Sequence, residues 1–140
     1  MNRDDQHIAI AEATGYRWYW NRWSSDGQGN WQLNLAYPPQ EGIAFPATKG
    51  LMAETRAATP EEIREAKHTK TFIWRALPFL DDLNAIAVAE ATLVGDEAKW
   101  RAYARALYAV VGYNGDAMIR ATAAQRAEAF LRAIGKWEEA

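Results

Sequence analysis

The sequence contains no cysteine, which removes disulfides, thiolate zinc sites and a cysteine nucleophile. Histidine is scarce: His7 and His68 stand far apart, with no HxxxH or HExxH spacing. A metal site needs three or four converging ligands, and lone histidines need no metal. No apolar run approaches the ~20 residues that span a bilayer. The start, Met1-Asn2-Arg3-Asp4-Asp5, lacks the basic and apolar regions of a signal peptide. A formal charge of −2 argues against a binder driven by nucleic-acid phosphates, and equally against an acidic mimic of DNA. No internal repeat or low-complexity tract is present. The reading is a soluble cytoplasmic protein with no membrane or nucleic-acid partner.

What is present is a core's worth of apolar residues and an unusual aromatic inventory. The 140 residues are 49% hydrophobic, enough for one domain built without a staple. Alanine is frequent in the second half, which favours closely packed helices. Seven tryptophans occur, and Trp18, Trp20, Trp23 and Trp31 cluster early.

Residues 1–15 read as an N-terminal helix, with Asn2 as its cap, Asp4 and Asp5 in its first turn and Gly15 as its stop. Residues 16–37 read as a β-hairpin. Tyr16, Trp18 and Trp20 face one way, with Arg17, Tyr19 and Asn21 opposite. After the turn at Ser24–Asn30, Trp31, Leu33, Leu35 and Tyr37 repeat the apolar alternation. Residues 40–58, broken by Gly42, Pro46 and Gly50, read as an irregular connection, with Phe45, Leu51 and Met52 as isolated apolar anchors.

Thr59-Pro60-Glu61-Glu62 is a strong helix start, with a capping box and proline in the first helical position. That short helix should end near Lys67, and a strand is possible over Thr69–Arg75. Residues 81–135 read as a helical layer. Its first helix, from about Asp82 to Val94, should bury Leu83, Ile86, Ala87 and Leu93. Asp96 caps the next, whose face is Trp100, Tyr103, Ala104, Leu107 and Val111. Gly112–Asp116 reads as a loop. Thr122 and Gln125 form a second capping box, followed by Ala127, Phe130, Leu131 and Ile134. The fold class is therefore α+β: a small, mainly antiparallel sheet sandwiched by helices, with a helical C-terminal half.

Three segments carry a family resemblance. They are Asn2–Ala13, Asp81–Ala85 with Ala89-Glu90, and Ala121–Arg132 with Gly135–Glu138. Together they resemble the small phage and prophage proteins grouped as the phage ABA-sandwich domain. The resemblance covers roughly a third of the chain, at its start, middle and end. It implies a small sheet between helices and a phage origin, hence residence in the cytoplasm of an infected bacterial host. It implies no enzyme activity and supplies no catalytic residue, because the shared motifs are caps and core faces. Trp18 to Arg75 has no counterpart in it.

Candidate chemistry is sparse. Asp81-Asp82 and Asp96-Glu97 stand at helix starts, where capping explains them. Ser24 and Ser25 lack a nucleophile elbow. Gly27-Gln28-Gly29 and Gly112–Asp116 match no phosphate-binding fingerprint, although backbone N–H groups ahead of a helix can hold an anion. No catalytic residue, metal or cofactor is assigned.

The aromatics remain. Core packing is their default use, but tryptophans interleaved with arginines also suit a flat ring stacked beside a phosphate. The candidate ligand-binding residues are Trp18, Trp20, Trp74, Arg17, Arg75, Tyr113 and Asn114. The expected function is non-catalytic: a phage anti-defence protein, homo-oligomeric in the expected case, that sequesters a small nucleotide-derived immune signal. The alternative is a protein-binding module that blocks a host or phage partner through an exposed aromatic and arginine patch.

Overall fold

The computed structural model describes residues 1–24, 30–36 and 52–139. In chain order the elements are α1 (Arg3–Ala13), β1 (Arg17–Ser24), β2 (Gln32–Ala36), β3 (Met52–Ala57), α2 (Pro60–Thr69), β4 (Ile73–Trp74), α3 (Leu83–Ala91), α4 (Glu97–Val111), α5 (Gly115–Ile119) and α6 (Ala123–Ala133). The class is α+β with a helical C-terminal half. No described helix is long and apolar enough to cross a membrane. Where composition suggests one domain, contacts divide the chain into two compact units. One is Met1–Thr14 with Leu77–Ala140; the other is Gly15–Ala76.

The second unit holds the sheet, ordered β3-β1-β2-β4. β1 pairs antiparallel with β2 and β3, and β4 pairs parallel with β2. The hairpin follows from its alternation: Trp18 stands opposite Leu35 and Trp20 opposite Leu33, so one face is indole and leucine. Trp18, Leu33 and Leu35 are buried.

The polar alternation is not a solvent face. Asn21 is 2% exposed and Asn34 0%. Asn34 Nδ2 donates to Asn21 Oδ1 (3.0 Å) and to the Gln32 carbonyl (3.0 Å), while its Oδ1 accepts from Arg75 Nε (3.0 Å). Both amide protons and one acceptor position of Asn34 are thereby used.

Two expectations in this unit need correction. Residues 40–58 are not irregular throughout, because β3 occupies Met52–Ala57. Met-Ala-Glu-Thr-Arg-Ala shows no apolar alternation. As an edge strand it is held through its ladder to β1, and edge strands characteristically carry charge. Of the expected turn at Ser24–Asn30, Ser24 instead ends β1 and residues 25–29 lie outside the described residues, as do the expected anchors Phe45 and Leu51. The strand at Thr69–Arg75 contracts to Ile73–Trp74, because α2 runs on to Thr69 and ends with Lys70 in the left-handed region at φ 56°.

The first unit is all helix, with α6 at its centre: α1, α3 and α4 each pack on it. Phe79, Ile86, Leu93, Phe130, Leu131 and Ile10 are fully or almost fully buried, each side chain of this kind contributing roughly 1.5–3 kcal/mol. The caps are those the sequence implies. Asn2 accepts from the Asp5 N–H, Asp82 from Asn84, Asp96 from Lys99, and Thr122 forms a full box with Gln125.

Some buried faces differ from expectation. In α3 the inward residues are Ala85, Ile86 and Ala89, followed by Leu93, while Leu83 is 54% exposed and Ala87 is also outside. Glu90 lies on the inward side of this helix. It accepts a hydrogen bond from the Tyr103 hydroxyl and one from Arg126 Nη1 at 3.3 Å. Burial, with the carboxylate of Glu90 alongside, pushes the Tyr103 phenol up. The outer face of α3 is left without charge: Leu83, Ala87, Val88 and Ala91, then Val94. In α4, Tyr103 and Leu107 are buried but Trp100 is exposed. The expected loop at Gly112–Asp116 gives way at Gly115 to α5, capped by Asn114.

His7, on α1, accepts the Leu80 N–H at Nε2 (3.2 Å). Burial, then Arg3, lower its pKa; Asp81 and Asp4 oppose them.

Candidate functional site

The site grows from the indole face of the sheet and the start of α2. Thr59 accepts from the Glu62 N–H, and Glu62 accepts from the Thr59 N–H, so the box that opens α2 also fixes the Glu62 carboxylate. Arg56, on β3, stands opposite Trp20 on β1 in the strand register. Its guanidinium reaches both oxygens of Glu62, at 3.1 Å each. These bonds, Arg56 first and then Thr59, hold the Glu62 pKa down to about 2.

The same guanidinium lies over two indoles, 5.1 Å from the centroid of Trp20 and 5.5 Å from that of Trp31. Arg22 covers Trp31 at 4.7 Å. A short ladder results, Arg22–Trp31–Arg56–Trp20, in which cations sit against the negative ring faces. Further along the face, Trp18 packs edge-on against Phe72 (4.8 Å, 67°), with the Lys67 ammonium 5.9 Å above its ring.

Beside this ladder is an open cavity of about 330 Å³, lined by Trp20, Leu33, Glu61, Glu62, Glu65, Ala66 and Thr71. Trp20 and Leu33 come from the sheet, Ala66 from the inner side of α2. Glu61 and Glu65, one turn apart on α2, are exposed. The Thr71 hydroxyl meets that of Thr69 at 2.5 Å. The cavity therefore has an apolar wall and an acidic rim. Among the described residues its lining holds no histidine, lysine or cysteine.

The residues singled out from the sequence fall in different places. Trp18, Trp20 and Trp74 share the indole face by strand register. Of these only Trp20 lines the cavity; Trp18 is buried and Trp74 half-buried. Arg17 and Arg75 belong to the opposite face, where Arg75 is held by Asn34. Tyr113 and Asn114 belong to the helical unit. There Asn114 caps α5, and Tyr113, at φ 57°, stacks on Tyr108 at 6.1 Å.

On the sheet the arginines that meet indoles are Arg22 and Arg56, and in the helical unit Arg132 lies over Trp137. Arg56 escapes a sequence reading because β3 has no period-two signal. The spacing of Glu61 and Glu65, i and i+4 on a helix already legible from its capping box, is a signal that was available. No known protein family, curated protein or solved structure matches the chain.

Proposed function

We propose that this protein is a non-catalytic binding module that holds a small ligand in the cavity between α2 and the indole face of the sheet. One observation carries this reading. A cavity of about 330 Å³ combines an apolar wall, Trp20, Leu33 and Ala66, with a few polar groups gathered at its rim. That combination is the usual make-up of a small-molecule site.

The finer reading follows from the phage resemblance: the ligand is a nucleotide-derived signal of host defence, and the protein removes it without turnover. Trp20 offers a ring to stack on, worth about 1–3 kcal/mol per base. The phosphates would have to lie outward, on the ladder side near Arg22, because the rim of the cavity is carboxylate. Heat of binding measured against cyclic nucleotides and cyclic ADP-ribose isomers tests this directly. A saturable signal that Trp20→Ala abolishes supports it; silence across the panel removes the nucleotide.

The ladder itself favours a second reading, a protein-binding patch. Tryptophan and arginine are the side chains that most often dominate interface energetics. Arg22→Ala and Arg56→Ala would then weaken capture of a host partner, and no small molecule of the panel would bind.

A further inference from the structure

We infer that the cavity takes a small organic cation, a protonated amine or amidinium carried on an apolar and preferably flat body. This rests on the reading of the cavity as a ligand site and replaces the nucleotide with a cation as its guest.

Three carboxylates border the cavity, and they are not equivalent. Glu62 is answered by Arg56 and by the Thr59 N–H. Glu61 and Glu65 have no ion-pair partner among the described residues, and both line the cavity. Their i, i+4 spacing places two like charges on one helix face, an arrangement that costs the helix stability. Glu61 has a structural use at the positive end of α2. Glu65, a turn further in, lies beyond the reach of that effect.

Below the rim the wall is indole, leucine and alanine, which offers nothing to an ion and much to a hydrocarbon body. A guest with one positive end and an apolar remainder satisfies both halves of the cavity. The surroundings already display the relevant chemistry, since Arg22, Arg56 and Lys67 each rest on an indole ring of this face. A phosphate placed at the same rim would meet Glu61 and Glu65 and be repelled. A volume of about 330 Å³ is at the small end for ligand sites, so one ring or a short chain fits better than a dinucleotide.

The test uses the full chain, with calorimetry and tryptophan emission. The probes are phenethylamine, its uncharged analogue phenethyl alcohol, adenosine monophosphate and a lysine-rich peptide. Phenethylamine is expected to bind roughly tenfold or more tightly than the alcohol, the difference a charge-assisted contact makes, and to weaken as salt is added. Glu65→Gln, and more strongly Glu61→Gln with Glu65→Gln, should cut amine binding, and Glu65→Gln, which relieves the like-charge pair, should not lower the melting temperature. If the double variant melts early, Glu65→Gln alone decides.

Equal binding of amine and alcohol, or amine binding that ignores Glu65→Gln, overturns the inference while the cavity stands as a ligand site. So does binding of adenosine monophosphate without the amine. Binding of the peptide alone overturns it in favour of partner docking. If no probe binds, the ligand-site reading falls with it.

Discussion

Asn34 shows how much one polar side chain can be asked to do. It lies at 0% exposure in the middle strand pair, giving both amide protons and taking one from Arg75. Removing a buried partner strands the groups that relied on it, a penalty of about 1–3 kcal/mol. Asn34→Ala should therefore lower stability by about that amount, read from urea unfolding. The Asn21 amide, left without its donor, is the main reason. The sequence alternation places Asn21 and Asn34 together on one strand face correctly. It does not reveal that this face is buried, because period two reports which residues share a side and not what covers that side. Trp18 and Trp20 show the complementary limit. Alternation puts both indoles on one face, yet one is sealed and the other walls a cavity, a difference decided by where α2 lies.

At the scale of elements, the caps were the most legible feature. A capping box is a local contract between four residues, so Thr59 with Glu62 and Thr122 with Gln125 stand in the structure as they stand in the sequence. Thr122→Ala should cost about 1 kcal/mol. The loss should appear as faster amide exchange at the start of α6, while the sheet amides keep their protection. The candidate site was less legible for the same reason in reverse. Arg56 reaches Trp20, Trp31 and Glu62 from an edge strand whose sequence carries no pattern, so the contact that joins β3 to α2 is invisible until the register is known. In α3 the apolar residues occur all round the helix. Periodicity does not distinguish the inward side, where Ala85, Ile86 and Ala89 are buried and Glu90 meets Tyr103 and Arg126.

At the scale of the whole molecule, each compact unit carries a contact that titrates in acid, and the two work in different pH ranges. His7 has a lowered pKa in the folded chain, so its stabilising contribution is complete above about 6.5, its unfolded value, and is lost as pH falls through the folded value. Protonation takes away the Nε2 lone pair that receives the Leu80 N–H. Glu62 is also lowered, so its contribution is complete above the ordinary carboxylate value of 4.5 and is lost as pH falls toward about 2. Stability in both cases falls with acid, because the unfolded chain binds the proton more readily. An acid titration followed by amide exchange should show the Leu80 amide loosening first, below about pH 6.5, and the first turn of α2 only in the carboxylate range. His7→Gln should flatten the first step alone, and Glu62→Gln the second alone.

The uncharged outer side of α3 has a practical consequence. Leu83, Val88 and Val94, at 54%, 41% and 73% exposure, present hydrocarbon to water, with Asp82 and Asp96 at the two ends of the segment. Salts that are excluded from such surface strengthen its tendency to leave water. On a phenyl matrix in ammonium sulfate the chain should elute late, and Val94→Lys should bring it off earlier without altering its circular dichroism. The same helix that closes the interior with Ile86 and Ala89 thereby makes the protein prone to salting out.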